Sequence, residues 1–298
     1  MAHDPLAPEH LMAHVKDAEH FEVPRMLAEG GHLAIPQPFA PEKPLWVANT
    51  GNSIVDGLIE PFDLRITKFM VLEVVAAVIL CVVFISLANR MTKYNRPRGR
   101  WWNMMEAMLL FFRDYVTRPA IGKHDGDRFL PFVWTMFFFV LGCNLLGLIP
   151  WLGSPTGAIA TTGALAFCTF VVLVGSGTHK LGVVGFWKGQ VPHMEMHPII
   201  SAIITPMIFV IEVLGLLIKH FVLAVRLLAN MLAGHLVLAV IVGFIAVSAG
   251  SIAWFGVMPA SIAGASGLML LELFVAFLQA YIFAFLSALF IGMAVHPH

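Results

Sequence analysis

The chain has 298 residues, of which 59% are hydrophobic and 12% charged, and a mean hydropathy of +0.84. That composition excludes a soluble globular domain and points to a helical protein that crosses a membrane several times. Formal net charge is zero, but the charges are unevenly distributed. Residues 1–60 carry the acids Asp4, Glu9, Asp17, Glu19, Glu22, Glu29, Glu42, Asp56 and Glu60 against Lys16, Arg25 and Lys43, whereas residues 90–100 carry Arg90, Lys93, Arg96, Arg98 and Arg100 with no acid.

Residues 1–66 are rich in Pro, His and acids and lack sustained periodicity, so they are expected to form an extended tail with one short helix near residues 8–21. His10 and His14 stand four apart, but without a second such pair they read as solvated surface rather than a metal site. The tail lacks the apolar core of a cleavable signal. A first span is expected over residues 67–88. The basic loop after it is placed in the cytoplasm by the positive-inside rule, which puts the tail outside.

From Trp101 to Arg118 the pattern changes. Met105, Met108, Leu109 and Phe112 share one side of a helix, while Arg113, Asp114 and Arg118 prevent deep burial, as in an amphipathic helix at the membrane interface. Spans two and three are expected at residues 129–151 and 158–177, joined by a Gly/Ser/Pro turn. In the loop that follows, His193-Met-Glu-Met-His197 lacks the H-E-x-x-H spacing of a zinc protease. Cys81, Cys143 and Cys168 all lie in apolar spans without C-x-x-C pairing and read as small buried hydrophobes. No metal, cofactor or nucleotide-binding loop is expected.

Residues 199–249 are almost uninterrupted. A helix of that length would measure about 75 Å, more than twice the hydrocarbon thickness, and no Gly or Pro lies between Leu216 and Ala233 to divide it. One long, tilted or kinked helix is therefore expected. A Gly/Ala/Ser-rich turn over residues 248–267, containing Pro259, should lead into a second long helix ending near Ala294, with the C-terminus in the cytoplasm. The predicted fold is all-α: a multi-span membrane protein with about five crossings in residues 67–298. It includes an interfacial amphipathic helix (about 101–118) and two long, steeply tilted C-terminal helices forming a hairpin (about 199–294).

Between Phe221 and Leu271 the only fully charged residue is Arg226. An Arg at the bilayer centre costs about 2.5–3.5 kcal/mol on insertion scales, so it calls for a partner or a role. On a helix, Glu212, Lys219 and Asn230 all lie within about 40° of Arg226, whereas His235 lies on the opposite side and about 13 Å further along. On the last helix, Glu272 and Gln279 are seven apart and share a face. Titratable groups thus flank a permanent cation that cannot itself relay a proton. The residues leave three readings open: control of an ion path, binding of an anionic substrate by a secondary transporter, or structural pairing with Asn230 and Gln279 as interhelical hydrogen bonds.

The segment L-A-V-R-L-L-A-N-M-L-A-G-H, followed by L-E-L-F-V-A-F-L-Q-A-Y-I-F, resembles the subunit a family of F-type ATP synthases over about residues 62–295. The resemblance implies that Arg226 faces a ring of c subunits with Asn230 and Gln279 beside it. It also implies that His235 and Glu272 serve an outer half-channel and Glu212 a cytoplasmic one, with a less certain role for Lys219. In many bacterial members the His235 and Glu272 positions carry Glu and His instead; the order here is the mitochondrial type. The family further implies peripheral-stalk b subunits and the rest of the synthase as partners, no nucleic acid, no enzyme activity in this chain alone, and a bacterial inner membrane, or alternatively the mitochondrial one.

Overall fold

The computed structural model describes residues 17–22, 32–37, 65–94, 99–149, 152–191 and 198–296. Helix α1 (Lys68–Tyr94) is followed by α2 (Arg100–Phe111), a π-helical turn (Phe112–Thr117) and α3 (Arg118–Ile121). Gly122, at φ 102°, then redirects the chain into α4 (Lys123–Gly147), a conformation that L side chains resist. Helices α5 (Ile159–Leu181), the short α6 (Val183–Lys188), α7 (Pro198–Val247) and α8 (Trp254–Val295) complete the bundle. Helices α1, α4, α5, α7 and α8 are each long and apolar enough to cross a membrane.

The amphipathic segment packs as its pattern dictates. Met105 and Phe112 are buried, and Met108 and Leu109 pack against the same core. On the outer side, Arg118 bridges Asp114 at 3.1 Å and Asp127 at 3.0 Å, and Arg113 pairs with Asp114 at 2.9 Å. Hydrogen bonding to Arg113 holds the exposed Asp114 carboxyl below its ordinary range.

Helix α7 runs unbroken for 50 residues. The turn before α8 is shorter than the Gly/Ala/Ser composition suggests, because α8 begins at Trp254 and takes in Pro259. Small residues and Pro are ordinary in apolar helices, where neighbouring groups satisfy the freed carbonyls. In its second half, α8 presents Ala276, Ala280, Ala284 and Ala288, all buried, along one face. Their i, i+4 spacing lets the backbone approach α4 and α7 closely. The core here joins Ile121, Val133, Phe137, Val140, Leu227, Phe283 and Ile291.

Part of the tail is ordered against α1. Strands β1 (His20–Glu22) and β2 (His32–Ala34) pair antiparallel. Asp17 Oδ1 accepts from the Phe69 N–H at 3.2 Å, satisfying one of the free donors at the start of α1. Gln37 exchanges two 2.8 Å hydrogen bonds with the backbone of Ile66. The helix expected near residues 8–21 lies mostly outside the described residues, and its end is strand, not helix. His10, His14 and the His193–His197 segment also lie outside them.

Candidate functional site

The middle of the long hairpin carries the candidate site. One stripe of α7 is uncovered in the isolated chain and includes Ile211, Ile218, Val222 and Val237, which are 44–57% exposed. Arg226 lies on this stripe and is exposed. Among the described residues it has no hydrogen bond or ion pair, whereas Arg118 and Lys180 elsewhere in the bundle are paired with acids. A guanidinium so placed within an apolar surface calls for a counter-charge beyond the described residues or for the lipid headgroups.

Beside Arg226, the two long helices are joined by a polar contact. Asn230 Nδ2 donates to Gln279 Oε1 at 3.5 Å, and Gln279 is 4% exposed. The stripe argument for Asn230 and the seven-residue spacing for Gln279 therefore meet at one place. Neither residue bonds to Arg226 among the described residues.

Toward the α7–α8 turn lies a second group. His235 Nδ1 is 2.9 Å from the Met231 carbonyl and Nε2 is 3.0 Å from that of Gly147. A neutral imidazole has one N–H and can donate to only one of these oxygens, whereas a protonated ring can donate to both. Glu272 comes across from α8 against Gly234, where a Cβ would fall 3.0 Å from Glu272 Cδ and nearer still to Oε1. Its Oε1 is buried without a hydrogen-bond partner among the described residues. Nearby, buried Asn144 donates to the Ala276 carbonyl at 3.3 Å and accepts from Thr156 Oγ1 at 2.7 Å, and Thr156 Oγ1 lies 2.8 Å from Ser154 Oγ. Glu73 of α1 accepts from Thr161 at 2.6 Å.

At the opposite end of the hairpin a cavity of about 480 Å³ is lined by Glu212, Lys219, His220, Gln190 and His296, among others. At 1.5 Å per residue, Glu212 is about 21 Å along α7 from Arg226, and His235 about 13 Å away in the other direction. Two groups of titratable residues are thus separated by the level of Arg226.

Sequence reasoning missed Gly234, Asn144 and His220. The signals available were an Asn within the apolar span of α4, a Gly directly before His235, and a second ionisable residue next to Lys219. Each acquires meaning only from the neighbouring helix.

Comparison with known proteins places these residues in context. The family model described as ATP synthase A chain matches residues 70–292. ATP synthase subunit a of Myxococcus xanthus (strain DK1622) is 42% identical over 248 residues, covering 82% of this chain and 78% of that protein. ATP synthase subunit a of Chloroherpeton thalassium (strain ATCC 35110 / GB-78) is 42% identical over 239 residues, covering 78% and 68%. The protein of the same name from Anaeromyxobacter sp. (strain Fw109-5) is 34% identical over 299 aligned positions, covering 97% and 70%.

Proposed function

The chain belongs to the ATP synthase A chain family, and from that premise we propose that it is the stator of the membrane sector, with two offset half-channels that load and unload carboxylates on a rotating c-subunit ring. The observation that carries this reading is the exposed Arg226 on an apolar stripe, unpaired among the described residues, with titratable groups toward either end of the hairpin. The stripe has the character of a surface covered by apolar helices that bring their own acid.

In this reading the N-terminus and the α7–α8 turn face outside and the C-terminus faces the cytoplasm of a bacterial inner membrane. A proton from outside passes Glu272 and His235 to a ring carboxylate. Once neutral, that carboxyl group can enter lipid, because the cost of an unpaired charge there has been removed. After nearly a full turn it reaches the other side of Arg226, is stabilised as the anion, and releases its proton toward Glu212. Arg226 stays charged throughout and blocks a direct path between the half-channels. Asn230 and Gln279 hold the two long helices together at that level, and Lys219 lines the cytoplasmic cavity. Each charge that crosses 100 mV contributes about 2.3 kcal/mol to rotation. The peripheral-stalk b subunits hold this chain against the torque.

Arg226→Ala is expected to abolish ATP synthesis driven by an acid–base jump in vesicles while the complex still assembles. Coupled synthesis at the parental rate in the assembled variant would overturn the reading.

A further inference from the structure

The long path between Arg226 and Glu212 contains a second ionisable ring. His220 lies about 9 Å along α7 from Arg226 and about 12 Å from Glu212, so it divides that path at an intermediate height. It is 5% exposed, and its ring packs between Phe170 of α5 and Phe290 of α8, with centroids 5.3 and 5.2 Å away. Nδ1 lies 2.9 Å from the Leu216 carbonyl. A carbonyl only accepts, so in the neutral ring Nδ1 carries the hydrogen and Nε2 offers a lone pair. Nε2 is buried with no hydrogen-bond partner among the described residues, and His220 forms part of the wall of the cavity that holds Glu212 and Lys219. At about 30 Å³ per molecule of liquid water, that cavity has room for several waters.

We propose that His220 is a proton relay in the cytoplasmic half-channel, an inference that rests on the half-channel reading above. A proton released from a ring carboxyl group adds to Nε2 and gives the imidazolium. The same Nε2–H bond then breaks toward the cavity, the proton passes to Glu212, and the ring returns to its neutral form. One proton moves and no electrons change hands. The titratable groups sharing the cavity are Glu212 and Lys219 on α7 and His296 after α8, while α5 contributes the apolar Leu173.

A ring that merely fills space between Phe170 and Phe290 predicts different mutant behaviour. In the intact complex in vesicles, His220→Phe keeps an aromatic ring without a base, and His220→Gln keeps hydrogen bonding without a titratable nitrogen. Both are expected to assemble and to synthesise ATP about a hundredfold more slowly under an imposed acid–base jump, the lower end of an acid–base contribution. His220→Phe at the parental rate would overturn the proposal. Should His220→Phe fail to assemble, His220→Gln decides, and its parental rate would overturn the proposal equally. Glu212→Gln measured in parallel separates the two levels: slow Glu212→Gln with parental His220 variants removes His220 alone, whereas parental rates in all three remove the cytoplasmic half-channel with it.

Discussion

Gly234→Ala puts Glu272, placed by the proposal in an outer half-channel, under direct strain. A methyl group there would lie 3.0 Å from Glu272 Cδ and 3.2 Å from Cγ, with Oε1 nearer still, where ordinary contact begins at 3.4 Å. The carboxylate must retreat by about 1 Å to recover a normal separation. Because a misplacement of about 1 Å can cost a hundredfold in a reaction that depends on geometry, proton uptake should fall by about ten- to a hundredfold. The complex should still assemble, since the obstruction falls on the end of a side chain and not on backbone. The assay is ATP synthesis in vesicles as the outer side is acidified, with assembly followed on native gels. Shortening the acid in the double variant Gly234→Ala/Glu272→Asp removes one methylene and should recover part of the rate. A parental rate in assembled Gly234→Ala would refute the claim that Glu272 works from its seat against Gly234.

Two further outcomes are expected. Glu272→Gln keeps the size of the side chain but not its proton affinity, so acidification-driven turnover should drop sharply; unchanged rates would remove Glu272 from the path. At the amphipathic segment, Asp114 is held below its ordinary range by Arg113. A depressed carboxyl stabilises the fold above its unfolded value of about 3.9 and loses that contribution as pH falls through its lower folded value. Asp114→Asn should therefore lower the thermal midpoint of the purified chain in detergent near neutral pH, with the difference from the parent shrinking under acid. A difference that persists unchanged at acid pH would contradict this assignment.

The long C-terminal hairpin was legible because fifty nearly uninterrupted apolar residues permit little else, and because Arg226 interrupts them. Helical spacing alone also put Asn230 on the Arg226 side of α7 and Gln279 on the Glu272 side of α8. What spacing could not give was the face that meets another helix. His220 lies about 120° around α7 from Arg226, so a search along the arginine's stripe passes over it. Its cavity is walled by residues of α5 and α8 as well as of α7. Gly234 is similarly silent until Glu272 arrives from 38 positions away. In the tail, a Pro- and acid-rich composition gives no hint that Asp17 will cap α1 at Phe69, because the partners are 52 residues apart.

The central claim is that Arg226 acts through a carboxylate that no described residue of this chain supplies at that level. The most direct measurement is an experimental structure of the assembled complex, resolving the surroundings of the Arg226 guanidinium. The account predicts a carboxylate from the ring within about 4 Å, the ion-pair range, in at least one rotational state. An Arg226 that faces lipid in every rotational state, or pairs with an acid of its own chain, would contradict it.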